Sequence, residues 1–213
     1  LRSILIRESK RSELEPLVQK GFTVSSVYVV QDPIFDKVDN TVNGQGVVAI
    51  VSKPKYNMES IHIDDGLYIT LDGVQDPGNL GTIIRTAVAA GAKGIFLLKG
   101  TVDPYNEKCV RSTMSALCNI PIFEDVTLSE FYDFIKDNTI KTYVTSLENA
   151  KPYHTISYPK RTMIILGNEG NGVSREIIEM CDQAITIPMY GDIESLNVSI
   201  AAALCMYKVR EQI

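Results

Sequence analysis

From Ile61 to the C-terminus the chain alternates two kinds of segment, and that alternation leaves few folds open. Short runs rich in Ile, Val and Leu recur at Leu67–Leu71, Gly94–Leu98, around Ile122, Thr142–Ser146, Met163–Leu166 and Ala184–Ile187. Between and after them, helices are expected over Asn79–Ala90 (closed by Gly91), Glu107–Leu117, Leu128–Lys136, Ser174–Met180 and Val198–Val209. Strands that lack a polar face are covered on both sides, and strands that alternate with helices pair in parallel. The expected fold class is therefore α/β, a mostly parallel sheet with helices on both faces. In such sheets ligands gather beyond the carboxyl ends of the strands, so the strand-to-helix loops are where a site is sought.

Residues 1–58 read differently. A helix of mixed charge from about Ser12 to Lys20 stops at Gly21, and two β-rich runs follow, Ser26–Val30 and Gly46–Val51. Lys53-Pro-Lys-Tyr-Asn then reads as a linker. Two domains are expected, a small partial α/β module at 1–58 and a larger one at 59–213. The chain begins at Leu1 without Met, which leaves room for sequence before it.

Bulk properties narrow the function classes. A net charge of −5 over 213 residues argues against indiscriminate nucleic-acid binding, while a local basic patch stays open. No apolar run reaches the roughly 18 residues of a membrane span, and the start carries no signal-peptide pattern. Cys109, Cys118, Cys181 and Cys205 form no CxxC pair, and neither His62 nor His154 lies near them in sequence, so no metal site is expected. Unpaired cysteines on apolar stretches point to reduced, buried thiols and a cytoplasmic location.

Three loops carry the polar residues of interest. In Leu71–Ala92 a Gly/Pro/Asp turn leads into the helix that holds Asn79 and Arg85. Its N-terminus offers free N–H groups to an anion. Arg85 lies nearly two turns after Asn79, so the pair is expected to share roughly one face; a helix-capping Asn and a solvated Arg are the plainer account. The turn lacks the G-x-G-x-x-G dinucleotide fingerprint. In Ile164–Ser174, the glycines Gly167, Gly170 and Gly172 surround Glu169, without the spacing or Lys-Ser/Thr of a Walker A loop. In Ile185–Arg210, a strand runs through Pro188 and Gly191 to Ser195-Leu196-Asn197 at the mouth of a nearly uncharged helix. Capping is the alternative there. Ser195 as a hydrolase nucleophile fails for want of a G-x-S-x-G elbow.

Taken together, NLGTIIRTAVAAGA, IILGNEGNGVS and IPMYGDIESLNVSIAAAL resemble, in order and spacing, the three motifs of the SpoU/TrmH branch of the SPOUT methyltransferases. The N-terminal part ending in QGVVAIVSKP is similar to the tail of the L30e-like substrate-binding domain of rRNA-modifying members. The resemblance implies methylation of a ribose 2'-hydroxyl in RNA from S-adenosylmethionine, 23S rRNA ahead of tRNA, on a sheet whose C-terminal part forms a trefoil knot. It also implies a homodimer through the last helix and knot region. The motif positions are matched by Asn79 and Arg85, by Glu169, and by Ser195 and Asn197. Cofactor contacts are implied near Thr145, Ser146 and Leu147, near Leu166, Gly167, Asn168 and Gly170, and near Ile187, Pro188, Met189 and Leu196. Arg85, Lys108 and Arg111 are implied to face RNA. Arg85 is the residue expected at the acceptor oxygen, either as base or as stabiliser of the alkoxide. An RNA-binding module with a vestigial cofactor pocket is the rival of a different class, and a nucleotide-binding oxidoreductase a distant third.

Overall fold

The structure is a computed structural model that describes all residues except 22–25, 40, 42 and 59–62. The expected start of the alternation at Ile61, the residue after the 58/59 boundary and His62 therefore lie outside the described residues. The chain divides into two compact units, Leu1–Lys55 and Tyr56–Ile213.

In the first unit, strands β1 (Ser3–Arg7), β2 (Ser26–Val30) and β3 (Val47–Ile50) form a sheet ordered β2-β1-β3. β1 pairs in parallel with β2 and antiparallel with β3. The alternation in SILIR sends Ile4 and Ile6 inward, where they meet Val18 of helix α1 (Arg11–Gly21). β1 was not expected from sequence, because a five-residue strand at a chain end carries no flanking turn signal. Helix α2 (Asp32–Phe35) buries Phe35, and the Arg7 guanidinium lies 5.0 Å from that ring's centroid.

The second unit carries β4 (Gly66–Asp72), β5 (Gly94–Leu98), β6 (Ile122–Val126), β7 (Lys141–Thr145), β8 (Lys151–Pro152), β9 (Arg161–Gly167) and β10 (Gln183–Thr186). They form one seven-stranded sheet ordered β6-β5-β4-β9-β7-β10-β8. Every adjacent pair is parallel. β9 comes late in the chain yet sits between β4 and β7, in register with β4 from Gly66↔Arg161 to Asp72↔Gly167. The helices are α3 (Pro77–Ala89), α4 (Glu107–Ser112), α5 (Leu128–Asp137), α6 (Arg175–Met180) and α7 (Val198–Arg210).

Strand periodicity divides the core between the two faces. Leu67, Ile69 and Leu71 of β4 pack with Leu80, Ile83 and Ile84 of α3 and Ala202, Cys205 and Met206 of α7. Tyr68 points the other way, into a cluster with Phe96, Phe123, Phe131, Phe134 and Ile177. The expected helix Glu107–Leu117 is shorter: α4 ends at Ser112, and Met114 and Ser115 take positive φ of 49° and 74°. A 3-10 turn, Ala116–Cys118, then tucks Ala116 and Leu117 into the core. Core burial of those two side chains overrides the helical propensity of the segment. Among the described residues no helix is long and apolar enough to cross a membrane. Cys109 and Cys205 are buried as expected; Cys118 is exposed and Cys181 partly so.

Candidate active site

Three strand-to-helix connections meet at the carboxyl ends of β4, β9 and β10. After β4, Asp76 caps α3: its carboxylate accepts from the Asn79 N–H at 2.8 Å, and Pro77 occupies the first turn, where no N–H is needed. The Lys108 ammonium, from α4, lies 2.7 Å from the same carboxylate. Lys108, and after it the Asn79 N–H, hold the Asp76 carboxyl below its usual range.

After β9 the chain folds back on itself. Asn168 and Gly172 exchange backbone hydrogen bonds of 2.9 and 3.0 Å, and a Cβ on Gly167 would lie 2.1 Å from the Gly172 carbonyl carbon. Glycine at 167 is therefore a condition of this turn. The Asn168 side chain accepts from the N–H groups of Gly170 and Asn171 and donates to the Gly73 carbonyl at 2.8 Å, which ties the β9 loop to the β4 loop. The Ser174 N–H adds a second tie, to the Asp72 carboxylate at 2.7 Å.

This turn presents Glu169 to the start of α3. Its carboxylate accepts from the Gln75 N–H at 3.2 Å, the Asp76 N–H at 3.3 Å and the Asn79 Nδ2 at 3.0 Å. Partial burial alone would raise its pKa; those hydrogen bonds outweigh it and hold the carboxyl below its ordinary value. A carboxylate so occupied is an anchor and a poor proton acceptor.

After β10, Asn197 caps α7 by accepting from the Ser199 N–H at 2.9 Å, and its Nδ2 donates to Asn79 Oδ1 at 3.0 Å. Asn79, Glu169 and Asn197, from three separate segments, thus form one hydrogen-bonded chain. One side chain thus both caps α7 and reaches Asn79.

Other expected residues stand apart from this chain. Arg85 is exposed and makes no hydrogen bond or ion pair with another described residue. The expectation that it shares a face with Asn79 is corrected: six residues rotate by about 600°, a third of a turn away. Ser195 is exposed and unjoined to Asn79, Glu169 or Asn197. Arg111 pairs with Glu107 at 2.6 Å one turn back, and Lys108 with Asp76, so two of the three expected RNA-facing cations already hold carboxylates.

Of the expected cofactor positions, Ile187, Pro188, Met189 and Leu196 line a cavity of about 350 Å³, together with Tyr153, His154 and Leu204. That volume and mainly apolar lining suit a small-molecule ligand. Thr145, Ser146, Leu147, Leu166, Gly167, Asn168 and Gly170 are not among its lining residues. Thr145 donates to the Ile165 carbonyl at 3.2 Å and the Ser146 N–H to the Ile185 carbonyl at 3.0 Å, while Leu147 is 81% exposed. Sequence reasoning missed Asp76, although Asp-Pro ahead of a helix is a start signal. Tyr153, His154 and Ser199 carried no comparable signal.

The sequence profile of the SpoU rRNA Methylase family matches residues 66–207. The chain belongs to this family. As a SpoU methylase it is 35% identical over 212 residues to the Bacillus subtilis (strain 168) 23S rRNA (guanosine(2553)-2'-O)-methyltransferase RlmP, covering 99% of this chain and 81% of the relative. Among solved structures, the AdoMet-bound rRNA methyltransferase from Sinorhizobium meliloti superposes with a TM-score of 0.86 at 30% identity, over 99% of this chain and 79% of that one. The SpoU methyltransferase AviRb from Streptomyces viridochromogenes, in complex with AdoMet, gives 0.90 at 25% identity, over 99% and 82%. The α/β architecture of this SpoU methylase is that of its structural relatives.

Proposed function

We propose that this protein transfers the methyl group of S-adenosylmethionine to the 2'-hydroxyl of a ribose in RNA, with 23S rRNA as the substrate class. One observation carries the reading. In a SpoU methylase, polar side chains from three segments distant in sequence, Asn79, Glu169 and Asn197, are linked at the carboxyl end of a parallel sheet. The choice of 23S rRNA follows the RlmP relative, which matches over nearly the whole chain.

S-adenosylmethionine, when bound, supplies a methyl carbon activated by its sulfonium. Ile187, Pro188, Met189 and Leu196, which line the cavity, would hold it. Displacement at a methyl carbon demands alignment of nucleophile and leaving group, so positioning is a large part of the work. Glu169, ionised and holding three donors, fixes Asn79 and the start of α3. Arg85, exposed on α3, meets the RNA. Its guanidinium stabilises charge developing on the 2'-oxygen. Ser195 holds the acceptor from the α7 side. Lys108 and Arg111 meet the RNA backbone.

The Leu1–Lys55 unit, within the 1–58 segment similar to L30e-like domains, serves substrate binding. Ile200, Leu204 and Tyr207, exposed at helical spacing on α7, seat a second copy of the chain and so make a homodimer. The insertion of β9 between β4 and β7 accords with a trefoil knot in the C-terminal part.

The test is Arg85→Ala. S-adenosylmethionine affinity by calorimetry should stay within about threefold, while turnover on the RNA falls by about 100-fold or more. Near-normal turnover on the true substrate removes Arg85 from the mechanism. An absence of cofactor binding in the wild type favours an RNA-binding module instead.

A further inference from the structure

We infer that Ser199 is a positioning residue for methyl transfer, acting through Asn197 and Asn79; this rests on the methyltransferase reading. Ser199 sits in the first turn of α7 and is 6% exposed. Its hydroxyl donates to Asn197 Oδ1 at 2.6 Å, beside its own N–H at 2.9 Å.

Two features set this hydroxyl apart. In helices, Ser and Thr usually donate to a carbonyl one turn back. Thr82, Thr86 and Ser112 do so here, to Gly78, Thr82 and Lys108. Ser199, in the first turn, has no helical carbonyl one turn back and donates to the cap side chain, Asn197, which belongs to the candidate site. Among the described residues the other buried polar side chains, Thr70, Thr113, Thr142 and Thr162, donate to Met163, Val110, Asp182 and Pro159, none of which belongs to that site.

The direction of donation explains what Ser199 does. An amide side chain has one acceptor end and one donor end and can be placed either way round. Two donors from Ser199 fix Asn197 Oδ1 inward, so its Nδ2 must point to Asn79 Oδ1, at 3.0 Å. Asn79 Nδ2 is then left to donate to Glu169, a group that only accepts, at 3.0 Å. The order Ser199, Asn197, Asn79, Glu169 is consistent in one sense only. The N–H cannot turn and the carboxylate cannot donate, so they set the sense of both amides, and the hydroxyl, the shorter of the two donors at 2.6 Å, holds Asn197 Oδ1 in place. Removing the hydroxyl leaves a single donor on Asn197 Oδ1 and so loosens the hold on Asn79, two hydrogen bonds along the chain of contacts.

The experiment uses the full chain with Ser199→Ala, Ser199→Thr, Asn197→Ala and the double variant Ser199→Ala/Asn197→Ala. Side-chain amide NMR signals of Asn197 and Asn79 should both move in Ser199→Ala and return in Ser199→Thr. An Asn79 signal that does not move overturns the inference, whatever the enzyme does. In methyl transfer, kcat should fall about tenfold in Ser199→Ala with cofactor KM unchanged, recover in Ser199→Thr, and fall no further when Ser199→Ala is added to Asn197→Ala. Additive losses, or a melting temperature that drops while kcat holds, also overturn it. A wild-type protein that methylates no RNA defeats the functional reading alone, because the amide signals still decide the role of Ser199.

Discussion

Glu169 is the residue on which the site turns, and its hydrogen bonds make a pH prediction. Its folded carboxyl lies below the ordinary value, because the donors from Asn79, Gln75 and Asp76 outweigh the effect of burial. The stabilisation is complete above the unfolded value of about 4.3 and is lost as pH falls through the lowered folded value. Glu169→Gln lacks that contribution. Its melting temperature should lie below that of the wild type near neutrality, and the gap should close as pH falls below about 4. A gap that widens on acidification contradicts the assignment. Arg85 shows where residue-level reading went astray: six helical residues place it a third of a turn from Asn79, arithmetic that the sequence already contained. The link between Asn79 and Glu169 had no such route, since the partners lie 90 positions apart.

At the scale of elements, the strands were legible because Ile, Val and Leu runs are a local signal, and most boundaries moved by only a residue or two. β4 extends to Gly66–Asp72 from the expected Leu67–Leu71, and α3 begins at Pro77. The break after α4 was not legible. Ser115 is left-handed at φ 74° because the chain must turn there to bury Ala116 and Leu117, and that need arises from the core. A non-glycine residue in that conformation costs about 1–2 kcal/mol. Ser115→Gly should therefore stabilise its unit by about 1 kcal/mol after the entropy of glycine in the unfolded chain is counted. Denaturant unfolding should show a higher midpoint with an unchanged slope; a lower midpoint contradicts the strain.

For the whole molecule, alternation told of a parallel sheet but not of its order. Nothing local announces that β9 enters between β4 and β7, a placement set by long-range pairing. That placement lays the Glu169 loop beside the Asn79 helix. The exposed apolar stripe on α7 belongs to the same scale. Tyr207→Glu together with Ile200→Glu should convert a dimer to a monomer in light scattering at micromolar concentration, and a wild-type monomer would contradict the proposed interface. The central claim, that the linked loops form a ribose methylation site, has a direct measurement. Unmodified 23S rRNA is incubated with the protein and methyl-labelled S-adenosylmethionine, then hydrolysed by alkali. The account predicts label in alkali-resistant dinucleotides, the mark of a 2'-O-methyl group; label confined to mononucleotides, as base methylation gives, would contradict it.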